Sequence, residues 1–328
     1  MLALARNAMN SRFELVLHGG NPIALRAAAE EALDEISRLE AQLSAYSRTS
    51  ELTQINLRAA RESVRVEPRL FRLLQHAQQL SRATDGAFDI TIAPLMRAWG
   101  FVRQSGKLPD PAALEAARAV VGMQHVQLDE RNFTVRFDRD GVMLDLGAIG
   151  KGYALERAAE ILRQAGITSA ILHGGTSSVT TIGTDAEGRP WRVGIAKPEA
   201  ELAAKGLIPG GQLAAQENLL TIVELRDESL GVSAVWGKAF AAEGKVYGHV
   251  MDPRQGEPAD NAVLAALVLP SATETDALST ALLTLGPAGL ETIAQLRPNI
   301  RGLVVARDAA GKLSTHGNGF TDSPRSAS

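Results

Sequence analysis

The run Asp145-Leu146-Gly147-Ala148-Ile149-Gly150-Lys151-Gly152-Tyr153 constrains this chain most, because it leaves a strand on a carboxylate and enters a helix through glycines and a lysine. Glycine lets backbone N–H groups approach an anion closely, a new helix presents its partially positive end, and Lys151 adds a full charge. The block therefore reads either as a place to hold a phosphate or as a glycine-rich turn that holds nothing. Its spacing, G-x-x-G-x-G, fits neither the dinucleotide fingerprint nor the P-loop. Asp145 stands where the first P-loop glycine belongs, and Gly152 follows Lys151 where Ser or Thr is required.

Strand and helix patterns interleave on both sides of this block without a fixed repeat. Ser11–Leu17 reads as the strand that opens the fold, and Leu25, Ala29, Ala32, Leu33, Ile36, Leu39 and Leu43 form one helical stripe. A second helix is expected over Leu70–Ala83, and Asp110-Pro111 caps a third. Short paired strands near His125–Asp129 and Phe133–Phe137 precede the central helix, Ile149–Ala165. Ser169–Leu172, Val179–Ile182 and Trp191–Ala196 then read as strands in antiparallel pairing, with turns at Gly174-Gly175 and Glu187-Gly188. Residues 198–216, rich in Ala and Gly, read as an insertion loop and residues 318–328 as a polar tail, so residues 1–317 are expected to close one domain.

Composition removes several chemistries. Of 328 residues none is cysteine, which excludes thiolate catalysis, Cys-ligated zinc, iron–sulfur clusters and disulfides within them, and a lipoprotein anchor is not expected. A net charge of -3 leaves no basic footprint for nucleic acid. Histidines 18, 76, 125, 173 and 316 show no metal-ligand spacing, so zinc is not expected. A serine hydrolase finds no support, since Gly231-Val-Ser233-Ala-Val235 fails G-x-S-x-G at its last position. Met1–Arg12 has no signal-peptide core and no stretch able to span a membrane; the chain as written is expected to be cytoplasmic, or periplasmic if a leader has been removed.

Three further segments carry chemistry. In Ser271-Ala-Thr-Glu-Thr-Asp276-Ala-Leu-Ser-Thr280 a helix begins, and Asp276 and Thr280 share one face as oxygen donors suited to a hard cation. Thr273-x-x-Asp276 and Ser271-x-x-Glu274 also spell capping boxes, and on these residues alone capping is the preferred reading. His249-Val-Met251-Asp252-Pro runs from a strand into a turn, where His249 is either a general base or simply packed. Thr84-Asp-Gly86-Ala87-Phe88-Asp89, with Trp99-Gly-Phe101 beyond it, is either a turn exposing backbone to a flat heterocycle or a turn alone.

In this order the segments resemble the ApbE family of FAD:protein FMN transferases over nearly the whole chain. Ala8-Met9-Asn10-Ser11, Leu43-Ser-Ala-Tyr46 with Ser50-Glu51 and Asn56, Gly86-Ala-Phe-Asp89 and the Asp145–Tyr153 block carry the likeness. Gly174-Gly175, Pro190-Trp191, His249-Val-Met-Asp252-Pro and Thr275-Asp276-Ala-Leu-Ser-Thr280 continue it. The resemblance implies an α+β fold of antiparallel sheets flanked by helices, with a flavin cleft between two intimately packed halves. It implies that Met9, Tyr46, Ala87, Phe88, Asp89, Asp145, Lys151 and Met251 line the FAD site, several through backbone. It implies Mg²⁺ on the Ala148 carbonyl, Asp276 and Thr280, replacing the capping preference for Asp276, and His249 as catalytic base. The implied reaction moves the FMN half of FAD onto a Thr or Ser hydroxyl of an acceptor protein bearing a Ser/Thr-Gly-Ala-Ser/Thr-like motif, with release of AMP. Hydrolysis of FAD to FMN and AMP, and FAD binding without turnover, are the alternatives. The chain departs from the family pattern at Val232-Ser233-Ala234-Val235-Trp236, where Ala replaces Gly, at Lys151, where other members can carry Glu, and in the long 198–216 stretch.

Overall fold

The structure, a computed structural model, describes residues 1–102, 108–198, 219–236, 239–308 and 310–320. Its frame is an eight-stranded sheet. The strands are β1 (Leu2–Ala8), β2 (Ser11–Leu17), β3 (Ser169–Gly174), β4 (Ser178–Gly183), β5 (Ser229–Ala234), β6 (Leu264–Leu269), β7 (Arg301–Arg307) and β8 (Leu313–Asn318). Each pairs antiparallel with the next along the chain, so strand order in the sheet is chain order. Everything else is inserted between consecutive strands of this meander.

The longest insertion joins β2 to β3 and contains α1 (Pro22–Leu43), α2 (Glu51–Arg58), α3 (Pro68–Ala83), α4 (Ala93–Ala98), α5 (Pro111–Arg118) and α6 (Gly150–Gln164). A ribbon of Trp191–Ala196 against Leu219–Leu225 lies between β4 and β5, and a hairpin of Ala239–Ala242 against Lys245–Gly248 lies between β5 and β6. The connection from β6 to β7 contains α7 (Ala272–Leu285) and α8 (Gly289–Leu296). The fold is therefore α+β with antiparallel sheets, as expected.

Local rules account for most boundaries. Met9 and Asn10 join β1 to β2 with φ of 50° and 55°, the left-handed pair of a type I′ turn that matches strand twist. The opening strand is thus Leu2–Ala8 rather than Ser11–Leu17; Arg6 and Asn7 obscure its alternation, and as an edge strand it is covered only in part. The predicted stripe of α1 is wholly buried. α3 starts at Pro68, two residues before its expected start, because Glu67 caps it by accepting from the N–H groups of Arg69 and Leu70. Asp110 caps α5 as predicted. Trp191–Ala196 leaves the main sheet for its own ribbon, and Asn318, the first residue of the expected tail, instead ends edge strand β8. The expected insertion loop lies, beyond Pro198, outside the described residues, as do residues 321–328.

α1, α6 and α7 cover one face of the sheet. A single apolar cluster runs from Phe13 and Leu15 on β2 through Ile36, Leu155 and Leu278 to Leu70, Val135 and Phe137, so the helical insertion and the sheet share one core. On the other face Trp191, Ile195, Val223 and Leu225 of the ribbon pack on Ile171, Val179, Leu264 and Val305. Ala272–Leu296 is long and apolar enough to cross a membrane by composition. Here α7 lies buried against β5, β6 and α6, and Gly286, with φ of 70°, ends it. α7 approaches the sheet closely at Gly231, where a Cβ would come within 2.3 Å of the Thr275 carbonyl oxygen.

Ser271 caps α7 by accepting from Glu274 N–H, yet Glu274 does not reach back as a capping box requires. Its carboxylate binds Arg297 beyond α8 at 2.6 Å and lies 3.3 Å from His76 Nε2 on α3. Burial pushes the Glu274 carboxyl up, but hydrogen bonds from Arg297 and His76 outweigh burial and hold it at about 2, against an ordinary 4.5. Because the folded value is depressed, the stabilisation is complete above the ordinary value and disappears as pH falls toward the folded one. Glu274→Gln should lower the urea midpoint at neutral pH and flatten its decline in acid; parallel curves for parent and variant down to about pH 3 would remove this clamp from the account.

Candidate functional site

Residues 142–146 form no ladder strand. They are extended, with Val142, Leu144 and Leu146 buried, and other groups satisfy their backbone. Asn56 on α2 donates its amide to Leu144 O at 2.9 Å and accepts from Leu144 N–H at 2.8 Å, acting as a surrogate strand. Asp145 N–H donates to Ile90 O at 2.7 Å, so the 86–90 loop is tied to the start of the glycine block. Asp145 Oδ1 accepts from Gly147 N–H at 2.7 Å, which bends the chain toward α6.

The first turn of α6 meets α7. Gly152 N–H donates to Asp276 Oδ2 at 2.9 Å, and Ser178 Oγ on β4 donates to Asp276 Oδ1 at 3.3 Å. Lys151 Nζ lies 3.6 Å from Asp276 Oδ1 and 3.5 Å from the Gly147 carbonyl oxygen. Lys151 thus spans from the Asp276 carboxylate to the Gly147 carbonyl, with Ala148 the next residue of that turn. The anion seated on the Gly152 amide is the protein's own carboxylate. α7 is capped in return, for Glu156 on α6 accepts from Ser271 Oγ at 2.7 Å and Thr273 N–H at 2.8 Å.

Thr280, one turn beyond Asp276, donates its hydroxyl to Asp276 O at 3.2 Å and lies 3.2 Å from Ser233 Oγ, itself 2.8 Å from Ser279 Oγ. Among the described residues no three His, Asp or Glu side chains gather to hold a metal. The oxygens carried by these two elements are the Asp276 carboxylate and Thr280 hydroxyl, one turn apart on α7, and the Gly147 carbonyl, which shares Lys151 with that carboxylate. These are hard donors in small number, suited to an ion that keeps part of its water shell.

The remaining predicted residues sit on other elements. Met9 occupies the β1–β2 turn, its N–H donating to Glu40 Oε1 on α1 at 2.6 Å. Tyr46 follows α1 with 63% of its surface exposed; its phenol is raised above the usual range by partial burial and by the Asp145 carboxylate. Ala87, Phe88 and Asp89 are buried, contrary to the expectation of an open turn. The Asp89 carboxylate accepts from Thr91 N–H, Thr91 Oγ1, Met123 N–H and Ser81 Oγ, so the segment can offer a ligand little beyond backbone. Met251 is 4% exposed and packs with Leu95, Trp99 and Phe101. His249 is half-buried just past the hairpin's second strand, and adjoining Gly248 passes so near Val235 that a Cβ would lie 2.5 Å from its carbonyl oxygen.

Reading the residues alone misses Ser178, Ser233 and Glu40. Ser178 stands on a strand buried on both faces, so no alternation singles it out. The available signal is a small polar residue paired across the sheet with Gly231, where α7 comes closest.

The ApbE family model matches residues 9–304 of this chain. The chain belongs to the ApbE family. It is similar to the FAD:protein FMN transferase of Salmonella typhimurium, with 29% identity over 275 residues, covering 82% of this chain and 74% of that protein. The FAD:protein FMN transferase of Klebsiella pneumoniae is 31% identical over 270 residues, covering 80% and 72%. The crystal structure of the apo form of Pseudomonas stutzeri flavinyl transferase ApbE superposes with a TM-score of 0.80 at 27% identity, covering 97% of this chain and 94% of that one. That of the ApbE protein from Thermotoga maritima gives 0.81 at 25%, covering 96% of each. This ApbE-family chain is a transferase.

Its departure at Ser233-Ala234 leaves the sheet regular, because Ala234 still pairs with Leu264 and Ser233 keeps its hydroxyl contacts to Ser279 and Thr280. Gly152 is the least replaceable position of the site. A Cβ there would lie 2.1 Å from Ala272 O and 2.7 Å from Asp276 Cβ, neither of which is a flexible chain end. Gly152→Ala should therefore part α6 from α7 and lower stability by about 1–3 kcal/mol, read from the urea midpoint. A midpoint equal to the parent's would mean that the two helices do not touch there.

Proposed function

We propose that this chain transfers the FMN half of FAD to a Ser or Thr hydroxyl of an acceptor protein in a Mg²⁺-dependent reaction that releases AMP. The observation that carries the reading is the Asp276 carboxylate, 5% exposed, seated on the Gly152 amide beside Lys151 and one turn from Thr280. Asp276, Thr280 and the Ala148 carbonyl would hold Mg²⁺, which when bound neutralises charge on the pyrophosphate oxygens. Lys151 places a second cation beside the same oxygens. Tyr46, Met9, Met251, Asp145 and the backbone of Ala87, Phe88 and Asp89 line the flavin end. The Tyr46 phenol is protonated at neutral pH, all the more so for being raised, and can donate a hydrogen bond.

The step balances simply. The acceptor hydroxyl oxygen bonds to the phosphorus on the flavin side, the pyrophosphate bond breaks, AMP leaves with the bridging oxygen, and His249 takes the hydroxyl proton. The acceptor is a protein with a Ser/Thr-Gly-Ala-Ser/Thr-like motif, bound so that its hydroxyl reaches His249.

Mass spectrometry of an acceptor domain incubated with the protein, FAD and Mg²⁺ tests the reading, with an FMN adduct and equimolar AMP as the expected result. Asp276→Asn keeps an oxygen for the Gly152 amide but removes the charge. It should cut transfer by roughly a hundredfold or more while leaving the urea midpoint near the parent's. Full activity in that variant would overturn the role of Asp276, and AMP without adduct would make the protein a FAD hydrolase.

A further inference from the structure

A cavity of about 280 Å³ lies between α3, α6 and the first turn of α7, lined by none of the residues assigned above to transfer. Two helical stripes face each other across it. Arg69, Arg72 and His76 project from α3, and Tyr153, Glu156, Arg157 and Glu160 from α6, at spacings that put each set on one side of its helix.

The donors of this cavity outnumber its acceptors. Both lining carboxylates are engaged, Glu156 by Ser271 Oγ and Thr273 N–H and Glu160 by Arg157 Nη1. Glu67, at the start of α3, caps that helix. Arg157 Nε is buried without a hydrogen bond; its nearest carboxylate oxygen, Glu35 Oε1, is 3.8 Å away. The guanidinium groups of Arg69 and Arg72 make no hydrogen bond or close ion pair among the described residues, Arg69 acting on Glu35 and Tyr153 only from farther off. His76 turns toward Glu274, and burial raises the Tyr153 phenol so that it remains a neutral donor.

We propose that this cavity is a second ligand site, which binds a small soluble phosphate anion. Planar guanidinium forks entering from two helices offer donors in several directions, a geometry that suits a tetrahedral oxyanion with several acceptor oxygens. A single carboxylate would leave part of the set unpaired. No residue lining it is assigned to flavin, metal or proton transfer, although Glu156, Ser271 and Thr273 belong to the α6–α7 joint that also seats Asp276.

Isothermal titration of the full chain with inorganic phosphate, at constant ionic strength set with chloride, tests this. The cleft assigned to FAD also handles phosphate groups, so the titration is repeated with FAD saturating and Mg²⁺ absent. Phosphate should bind in both conditions. The variant carrying Arg69→Gln and Arg72→Gln should bind phosphate about tenfold more weakly or worse, and Arg157→Gln likewise, with FAD affinity unchanged. No binding by the parent, equal binding by the Arg69→Gln/Arg72→Gln variant, or complete displacement by FAD would each overturn the proposal. Loss of flavin transfer with phosphate binding intact would instead strike the reading of the transfer site alone.

Discussion

Two carboxylates exchanged between neighbouring helices organise this molecule. Asp276 of α7 accepts from the first turn of α6, and Glu156 of α6 accepts from the first turn of α7. Each helix start carries N–H groups without an intrahelical partner and a partial positive charge, and two such ends pressed together would repel. The exchange removes both difficulties. It requires contact closer than any side chain permits, which is why a glycine stands at position 152. The catalytic-looking cluster is thus also a structural joint, and its precision comes from the packing of the most buried helix in the fold.

The meander explains how residues so far apart in sequence arrive there. Because consecutive strands are neighbours, the insertions after β2 and after β6 both leave a continuous sheet and settle on the same face, α6 and α7 side by side. The turn Met9-Asn10 stays on the rim through Glu40. The 86–90 loop is fastened to the glycine block at Asp145, while Asn56 stands in for the missing strand beside Leu144. Antiparallel pairing in sequence order lets each insertion vary in length without changing the frame, and the 198–216 stretch enters at one such join.

What could be read from the residues depended on whether the cause was local. Helical stripes, proline starts and side-chain caps were legible because they are settled within a few residues: periodicity marked α1 and α3, and the Asp110-Pro111 cap marked α5. Opposite cases show the limit. β1 hid because an edge strand need not alternate cleanly, and β8 because, exposed along the other edge, its residues are mostly polar and carry no buried face. Glu274 was misread as a capping partner since its real partners, Arg297 and His76, come from other elements. Ser178 left no trace because its role exists only once β4 passes beneath α7. The buried Asp89 shows the same thing in reverse: local residues suggested an open turn, and tertiary packing closed it.

The manner in which Asp276 is held bears on what it can still do. A carboxylate has about four lone-pair directions. Gly152 N–H takes one on Oδ2 and Ser178 Oγ one on Oδ1, while the Lys151 ammonium lies farther off, at 3.6 Å. The two closer donors fix the plane of the group, so its unused lone pairs point in a direction set by backbone and sheet rather than by a free rotamer. A glutamate at 276, one methylene longer, could not reach the Gly152 amide without displacing the helix that Gly152 lets so close. Ser178 and Gly152 therefore aim Asp276, and the looser cationic contact on the same side is the part of the arrangement with room to change when a ligand enters.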